Sequence, residues 1–441
     1  MKISKYNVVS KDAINKRIVI LNTATGSILS IPEKTYKLLK EGKFRAINSI
    51  TRIKLANSDI LVPSNKDETE DAVCRILHRR SHKDLRVVLI PTYSCNLQCP
   101  YCYEAIPESH IGSRNARWSN QITDFICHHM EKENIKNCCI ALFGGEPLLE
   151  ASECLKIIRD ISSSIEQTGK TLYCTLTTNG TILSKDVYAL LNHMNYIQVT
   201  LDGVGDRHNQ IRQWPDGKGT FEQILEFVRV ADQKGVARIG IRLHLHKYSD
   251  SYLRKCSDIL WQHIGDLHSV YLYFAEVTYG CYDYVIQCRR EKGKTLEGFQ
   301  RLRQAREIFL SQGWPENRVY THSEGNQETG LSANCGMIGT ESYIIDGNND
   351  IYFCPVALGD PKMRLGYLKN GCAIFTSLRE RLITSWKPHE SCLDCEILPL
   401  CEGGCVAKAA INNGSPLKPY CEKRRIIESL RRYSLEKGIE T

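Results

Sequence analysis

Hydrophobic residues recur along the chain in two different rhythms, and the change of rhythm divides the sequence into parts. Between residue 85 and about residue 315, short continuous apolar runs alternate with stretches whose apolar positions repeat every three or four residues. The runs are typical of strands buried on both faces, and the stretches between them are typical of helices with one buried side. The runs are Val87–Ile90, Cys139–Phe143, Leu172–Leu176, Ile197–Leu201, Ile239–Leu243 and Val270–Phe274.

This alternation predicts an α/β fold whose sheet is parallel and whose crossovers are right-handed, either open or closed into a partial (β/α)6 TIM-like barrel. One helix is expected to begin with a capping box, in which Thr220 and Gln223 satisfy each other's backbone amides. In folds of this class the chemistry takes place at the carboxyl ends of the strands. Functional residues of the domain over residues 85–315 are therefore expected at that edge.

Residues 1–84 predict a separate small α+β domain. Arg17–Leu21 and Ser27–Ile31 form a hairpin pattern around a short turn, and a helix is predicted to open at Pro32. A winged-helix-like module for peptide recognition and a purely structural cap both fit this pattern.

Residues 316–441 form the third predicted domain, which is irregular and rich in turns. This part holds eight of the twenty cysteines and ends in an amphipathic helix. Its organisation is expected to depend on bound metal.

Composition places the chain among folded globular proteins. It has 441 residues, of which 42% are hydrophobic and 24% charged, and its net charge is +8. This mild excess does not indicate a nucleic-acid partner, and no apolar stretch is long enough for a signal peptide or a membrane span. A cytoplasmic location is therefore expected, where reduced cysteines serve metal binding or catalysis more often than disulfides.

Three cysteines just behind the first strand give a strong chemical signal. Cys95, Cys99 and Cys102 follow Val87–Ile90 in a C-x3-C-x2-C spacing. Three thiolates on one loop bind three corners of a cubic [4Fe–4S] cluster and leave the fourth iron open. A zinc site that uses a distant fourth ligand is the alternative, although such sites normally use C-x2-C pairs.

This spacing, with the aromatic Tyr101 before the last cysteine, resembles the cluster motif of the radical S-adenosylmethionine (SAM) superfamily. The resemblance makes the three cysteines the catalytic centre and places Tyr101 beside the cofactor. Gly144, Gly145 and Glu146 end the second strand and are similar to the family's GGEP segment, which binds the SAM amino group. Glycines allow close backbone approach, and a glutamate accepts hydrogen bonds from an ammonium.

The resemblance implies more cofactor contacts at the ends of the third and fourth strands. Asn179 would line the SAM pocket, and Thr200 and Arg212 would contact the carboxylate or ribose side of SAM. For Asp202, an ordinary Asp-Gly turn and a contact to cofactor or substrate both remain open.

The late cysteines resemble the SPASM extension of radical SAM enzymes that modify peptides and proteins, an extension that binds two auxiliary [4Fe–4S] clusters. The resemblance implies one cluster on Cys392, Cys395, Cys401 and Cys421, and another on Cys335, Cys354 and Cys405. A zinc site is the alternative here too, because C-x2-C with two later cysteines also fits a treble-type zinc site.

Two departures from the family pattern affect the auxiliary-cluster region. Asn349 stands where a glycine is usual, and asparagine tolerates positive φ nearly as well. Glu341 stands where sulfatase-maturing relatives have a cysteine, so the first auxiliary cluster is expected to have an open iron. Cys281, Cys288 and Cys372 are the candidates for a replacement ligand.

The remaining cysteines are expected to be ordinary buried residues. His244 and His246 alternate on a predicted strand and share one face, which points either into the barrel or into ordinary packing.

The resemblance implies SAM and three [4Fe–4S] clusters as cofactors. Reductive cleavage of SAM would give a 5'-deoxyadenosyl radical that removes a hydrogen atom from the substrate. The interpretation is a peptide-modifying oxidoreductase, a maturase that forms a thioether or carbon–carbon crosslink in a ribosomally synthesised precursor peptide. Its expected partners are that peptide with its leader and an electron donor such as flavodoxin or ferredoxin.

Three alternatives remain open at this point. Two of them, peptide epimerisation and sulfatase-type protein maturation, use the same cofactors. The third, a zinc-binding interaction protein, belongs to a different class.

Overall fold

A computed structural model describes residues 1–81, 83–102, 117–166, 168–246, 248–277, 295–321 and 338–438. The strands are β1 Lys2–Ile3, β2 Asn7–Asp12, β3 Arg17–Asn22, β4 Ile28–Pro32, β5 Leu61–Val62, β6 Leu85–Ile90, β7 Asn137–Leu142, β8 Thr171–Thr178, β9 Tyr196–Leu201, β10 Arg238–Leu245, β11 Val270–Glu276, β12 Val319–Thr321, β13 Ser342–Asp346, β14 Asp350–Tyr352, β15 Arg364–Lys369 and β16 Cys372–Phe375. The α-helices are α1 Glu33–Lys40, α2 Ser49–Asn57, α3 Glu68–Arg80, α4 Trp118–Lys132, α5 Ala151–Ile165, α6 Lys185–Leu191, α7 Asp206–Asn209, α8 Phe221–Gln233, α9 Asp250–Ile264, α10 Thr295–Ser311, α11 Ser377–Arg379, α12 Leu398–Cys401, α13 Val406–Asn413 and α14 Lys423–Gly438.

The described residues fall into two compact units. The terminal unit contains residues 1–81, 338–340 and 380–438, and the sheet unit contains the described residues from 83 to 321 together with 341–379. The two ends of the chain therefore fold together in one unit.

The sheet unit is built on one sheet, which has eleven strands within the described residues, in the order β12-β11-β10-β9-β8-β7-β6-β13-β14-β15-β16. Neighbours from β12 to β13 are parallel, and β13 to β16 pair antiparallel. All six strands predicted from apolar runs are present as β6 to β11 and lie side by side in chain order. The prediction of a parallel α/β sheet is confirmed.

The sheet also extends beyond the six predicted strands at both edges. Strand β13 pairs with β6, and all five of its residues are buried. Its sequence begins with Ser342 and ends with Asp346, so its apolar run is too short to stand out. The expectation that this part of the chain is irregular was wrong for β12 and for β13 to β16.

Residues on strands β9 and β10 alternate between two chemically different faces. Ile239, Ile241 and Leu243 are fully buried on one face. On the other face Arg242 lies in register with Thr200, followed two residues later by His244. Polar side chains of neighbouring strands are therefore brought together on one side of the sheet.

The predicted capping box at α8 does not form. The Thr220 hydroxyl donates to the Arg212 carbonyl at 2.6 Å, and Gln223 donates to the Thr181 carbonyl at 2.7 Å. The backbone N–H groups of Thr220 and Phe221 are instead bound by the Asn209 side chain, at 2.9 and 3.0 Å. A side chain from the preceding short helix α7 caps this helix, and a local pattern could not reveal it.

The terminal unit contains the antiparallel sheet β2-β3-β4 and the two-stranded ribbon β1-β5. The predicted hairpin is β3 and β4, and the predicted helix after Pro32 is α1, so both are confirmed. Helix α3 starts with the Asp67 side chain accepting from Thr69 N–H, and it has acidic residues in its first turn and basic residues in its last.

The core of the terminal unit is shared by the two ends of the chain. Tyr6 and Ile76 pack with Leu398, and Val8 packs with Leu400 and Leu430 in a second cluster. The Ser10 and Ser434 hydroxyls lie 2.9 Å apart where α14 packs on β2. Within the described part of the chain, no helix is both long and apolar enough to cross a membrane.

Candidate active site

The loop after strand β6 carries the first cysteine motif. Cys95 is exposed, Cys99 and Cys102 are partly exposed, and the Cys102 N–H donates to the Cys99 carbonyl at 3.1 Å. Burial raises the pKa of the Cys99 thiol, although Arg212 acts in the opposite direction. A bound metal would keep this sulfur in the thiolate form.

Two adjacent glycines let this loop pack against the end of β7. A Cβ atom on Gly144 would lie 2.8 Å from the Thr92 carbonyl oxygen, and one on Gly145 would lie 2.5 Å from that of Tyr93. The Gly145 N–H also donates to the Thr92 carbonyl at 3.2 Å. In this structure the glycines admit the backbone of the cysteine loop, which holds that loop over the strand ends.

The Glu146 carboxylate is fully buried and joins the ends of two strands. It accepts hydrogen bonds from the Thr178 hydroxyl at 2.7 Å, the Asn179 N–H at 2.7 Å and the Leu148 N–H at 3.0 Å. Burial raises its pKa, and these hydrogen bonds offset part of that effect. These contacts fix the pocket edge, while a contact from Glu146 to an ammonium stays a prediction.

The side chain of Asn179 contacts the cysteine loop. Its amide nitrogen donates to the Asn96 side chain at 2.7 Å and lies 3.7 Å from the Cys95 sulfur. Its side-chain oxygen, Oδ1, accepts from the Thr181 hydroxyl at 2.6 Å. The residue predicted to line the pocket therefore also positions the first cysteine.

Asp202, at the end of β9, is the centre of a buried polar network. One carboxylate oxygen accepts from His244 Nδ1 at 3.1 Å and from His246 Nε2 at 2.8 Å. The other oxygen accepts from the Tyr101 hydroxyl and lies 3.6 Å from Arg212 Nη1. Side chains from β10 and the residue after it, from the segment after α7 and from the cysteine loop therefore meet at one carboxylate.

The network determines the charge of its members. Burial acts to raise the pKa of Asp202, but hydrogen bonds from His244 and His246 and the charge of Arg212 outweigh it and hold that pKa well below its usual range. Burial lowers the pKa of His244 to about 4, despite the opposing effect of Asp202. At neutral pH an ionised Asp202 therefore faces a neutral His244.

Arg212 is a buried cation with spare hydrogen-bonding capacity. Its Nη1 donates to the Tyr101 hydroxyl at 2.7 Å, whereas its buried Nε has no hydrogen-bond partner among the described residues. Burial would lower its pKa, but Tyr101, Cys99 and Asp202 raise it, so the guanidinium stays charged. A buried cation with an unused N–H is suited to an anionic ligand.

Four of the late cysteines lie together in the terminal unit. Cys392, Cys395 and Cys401 pack against its two core clusters. The pKa of the Cys401 thiol is raised to about 11, chiefly by burial and to a smaller extent by Cys395, Cys392 and Cys421. The grouping of these four cysteines on one cluster stays a prediction.

The second predicted group of late cysteines is distributed differently. Cys405 is exposed in the terminal unit, Cys354 is partly exposed in the sheet unit, and Cys335 lies outside the described residues. This grouping stays a prediction. In the described segments, no three His, Cys, Asp or Glu side chains are arranged to hold a metal ion.

The two departures from the family pattern have defined structures. Asn349 has a φ of 69°, as expected for a residue in the place of a glycine. The side chains of Glu341 and His129 form a hydrogen bond, with 2.6 Å between Glu341 Oε2 and His129 Nε2. Of the candidate replacement ligands, Cys372 is exposed on β16, and Cys281 and Cys288 lie outside the described residues.

Comparison with known proteins identifies the part of the chain that carries the first motif. Residues 89–258 match the family model described as the Radical SAM superfamily. This region is a radical SAM domain. It spans β6 to α9 and therefore contains Cys95, Asp202 and His246.

Several known proteins are similar to most of the chain. A cysteine-type anaerobic sulfatase-maturating enzyme from Clostridium perfringens (strain 13 / Type A) is 26% identical over 349 residues, which are 73% of this chain and 88% of the relative. A structure of native anSMEcpe with bound AdoMet and Kp18Cys peptide matches with a TM-score of 0.54 at 20% identity, covering 81% of this chain and 100% of that one.

A second solved structure covers more of the chain. SuiB from Streptococcus suis, bound to its precursor peptide SuiA, matches with a TM-score of 0.54 at 16% identity, covering 96% of this chain and 99% of that one. At these identities the likeness shows a shared fold. The radical SAM α/β fold is thus common to all three proteins.

The radical SAM domain implies SAM and a [4Fe–4S] cluster, and its residues fit both. Cys95, Cys99 and Cys102 are on one loop at the strand ends, with soft sulfur donors that suit iron. The unused N–H of buried Arg212 fits a carboxylate such as that of SAM. Thr200 lies on the polar face of the neighbouring strand β9, where it is 9% exposed.

Sequence reasoning left one part of the radical SAM domain undecided. It left Asp202 open between an ordinary turn and a contact to cofactor or substrate, and it left His244 and His246 open between the barrel interior and ordinary packing. In the structure all three meet in one network with Tyr101. The available signal was the alternation of His244 and His246 on a strand next to the one that ends at Asp202.

Proposed function

We propose that this chain is a radical SAM maturase that removes a hydrogen atom from a side chain of a ribosomally synthesised precursor peptide and forms a thioether or carbon–carbon crosslink. The observation that carries the proposal is the Asp202 network at the carboxyl edge of the radical SAM domain. It brings a buried cation, Arg212, and two histidines together at one carboxylate beside the cysteine loop.

The cluster and SAM together would supply a carbon radical that takes a hydrogen atom from the substrate. Cys95, Cys99 and Cys102 would hold the cluster, and Asn179 positions Cys95 through its 3.7 Å contact. Arg212 would bind the SAM carboxylate, oriented by its hydrogen bond to Tyr101. Tyr101 and Arg212 are buried, which would exclude water from this side of the site and protect a reactive intermediate.

Auxiliary clusters on the late cysteines would exchange an electron with the substrate or bind one of its sulfur atoms. Cys392, Cys395, Cys401 and Cys421 would supply four ligands to one cluster. Cys335, Cys354 and Cys405 would supply three to the other, and its remaining iron would be open. The engagement of Glu341 with His129 supports this view, because the residue in the position of the relatives' extra cysteine already has a partner.

The terminal unit would recognise the leader of the precursor. Strand β4 lies at one edge of the β2-β3-β4 sheet, and an extended peptide can add to such an edge through backbone hydrogen bonds. The match to SuiB covers 96% of this chain. The match to anSMEcpe covers 81% of this chain although it includes all of anSMEcpe, so this chain is the longer of the two. The greater length favours a peptide substrate with a leader.

Deletion of residues 1–80 is a poor test of leader binding, because Tyr6, Val8 and Ile76 form core with the late cysteines. Ile28→Pro and Leu29→Pro, made as separate variants, give a sharper test of leader binding. Adjacent N–H groups of a strand point to opposite sides, so one variant should break the β3-β4 ladder and the other should remove an outward donor.

The outward variant should keep its melting temperature and lose binding of a fluorescent leader from a candidate precursor, chosen from the short reading frames beside this gene. If the variant that stays folded also binds the leader as tightly as the parent chain, the edge of β4 is not the recognition site.

Sulfatase-type maturation is the second candidate, favoured by the 26% identity to the Clostridium perfringens enzyme. Mass spectrometry separates the two after anaerobic incubation with SAM, a reductant and each peptide. Crosslinking removes two hydrogens from the peptide encoded beside the gene, whereas sulfatase-type oxidation replaces a cysteine sulfur with a carbonyl oxygen in Kp18Cys. An unchanged mass with altered chirality would indicate epimerisation.

A further inference from the structure

Two histidines share one oxygen of Asp202, and each uses a single ring nitrogen for that contact. The His246 ring donates from Nε2 to Asp202 Oδ1 at 2.8 Å, which leaves Nδ1 as the unprotonated acceptor. Within the described part of the chain, that Nδ1 has no hydrogen-bond partner. His244 directs its Nδ1 to both Asp202 and Tyr101, at 3.1 and 3.2 Å.

The two rings also differ in their access to a substrate. The His246 side chain is 14% exposed, whereas that of His244 is 9% exposed. His246 follows the last residue of β10, at the edge where strands end and substrates bind. Its ring is held between Tyr248 and Tyr101, with centroids 5.4 and 6.2 Å away, so its orientation is fixed by packing.

A histidine whose one nitrogen donates to a buried carboxylate and whose other nitrogen is open is the arrangement of a general base. The carboxylate fixes the tautomer and stabilises the ring when it gains a proton. Asp202 is suited to this role because hydrogen bonds from His244 and His246 and the nearby charge of Arg212 keep it ionised.

We propose that His246 is the general base that takes a proton from the substrate thiol, with Asp202 as its positioning residue. This inference rests on the proposed function. The substrate loses one hydrogen atom to the SAM-derived radical, one electron to an oxidised iron–sulfur cluster and one proton to His246 Nδ1. The S–H bond breaks, its electron pair stays on sulfur, and that pair joins the radical carbon in the new carbon–sulfur bond as the electron leaves.

The test measures peptide product and 5'-deoxyadenosine together in the cluster-loaded enzyme, with the peptide encoded beside the gene and with Kp18Cys. His246→Gln should still form 5'-deoxyadenosine, because hydrogen-atom removal precedes proton transfer. Product per 5'-deoxyadenosine should fall about 100-fold, the lower end of a general base's contribution. His128→Gln, which changes an exposed histidine of α4, is the matched control and should match the parent enzyme.

Added imidazole should restore product in His246→Ala, because it can occupy the place of the lost ring, and should not affect His128→Ala. An unchanged ratio of product to 5'-deoxyadenosine in His246→Gln would overturn the assignment and leave the proposed function intact. If the parent enzyme cleaves SAM but alters neither peptide, the proposed function fails and this inference fails with it.

Discussion

Arg80 and Glu402 form a buried ion pair that connects α3 with the segment of late cysteines inside the terminal unit. The Arg80 Nε and Glu402 Oε2 atoms are 2.8 Å apart, and both side chains are almost wholly inaccessible. Burial lowers the pKa of Arg80, while Glu402 acts to raise it. The Arg80 guanidinium also lies 4.1 Å from the centre of the Trp386 ring.

Glu402→Gln should destabilise the protein by about 3 kcal/mol, because it leaves a buried guanidinium without its counter-charge. Differential scanning calorimetry under anaerobic conditions measures the change. Glu428→Gln is the matched control, since its partner Arg424 is 95% exposed and an exposed pair contributes about 0–1 kcal/mol. Equal melting temperatures for the two variants would show that the buried pair adds no stability.

Replacing Cys95, Cys99 and Cys102 together with alanine should abolish 5'-deoxyadenosine formation. If three cubic clusters are present, iron should fall from about twelve to about eight atoms per chain. Iron assay and chromatography of SAM products measure both quantities, and Cys74→Ser, on the exposed side of α3, serves as control. Continued SAM cleavage by the triple variant would rule out these cysteines as the catalytic ligands.

Cys392→Ser together with Cys395→Ser should remove about four iron atoms per chain and destabilise the terminal unit, because both sulfurs pack on its core. The catalytic cysteines are untouched, so slow SAM cleavage without peptide should persist. Cys372→Ser, at an exposed position on β16, should leave iron content unchanged. If Cys372→Ser lost iron and the double variant did not, Cys372 would be the auxiliary ligand instead.

Arg212→Gln should weaken SAM binding by about 10- to 100-fold, the effect of losing charged hydrogen bonds to a carboxylate. Isothermal titration calorimetry with the cluster-loaded protein gives the dissociation constant. The control is Arg254→Gln, on the exposed side of α9. If SAM binds Arg212→Gln as tightly as the parent protein, the unused N–H serves another ligand.

Asp346 should make stability depend on pH. It is 1% exposed, and burial raises its pKa to about 6 despite the hydrogen bond from Tyr93. Because the folded-state pKa lies above the unfolded value, the folded protein holds this proton more tightly, and that stabilisation is lost as the pH rises through about 6.

Asp346→Asn should therefore raise the melting temperature at pH 8 relative to the parent protein, keep about half of this advantage near pH 5 and lose most of it near pH 4. The contribution is about 3 kcal/mol, from a pKa change of about two units. A difference between the variants that is constant from pH 5 to 8 would show that Asp346 does not titrate in this range.

The sequence was most informative where a single segment carries its own signal. Strands β6 to β11 are visible as apolar runs because both faces are buried, and the cysteine spacings need no partner to be recognised. Strand β13 was missed because its burial depends on pairing with β6, more than two hundred residues earlier in the chain. Pairing across such a separation leaves no local pattern.

Side-chain partners followed the same rule. Thr220 and Gln223 hydrogen-bond to residues that are distant in sequence, and Asn209 supplies the cap instead. These contacts depend on how separate segments meet after folding. The role of Glu146 was read from its neighbours in sequence, yet two of its donors come from the next strand.

The shared core of the terminal unit also bears on how the protein is made. Strand β2 leaves the ribosome early, but the apolar surface around its Val8 stays uncovered until Leu400 and Leu430 have been synthesised. Translation must pass through the entire radical SAM domain before that surface is covered. Prematurely terminated chains would therefore expose apolar β-strands to proteases and chaperones, and only full-length molecules would escape such surveillance.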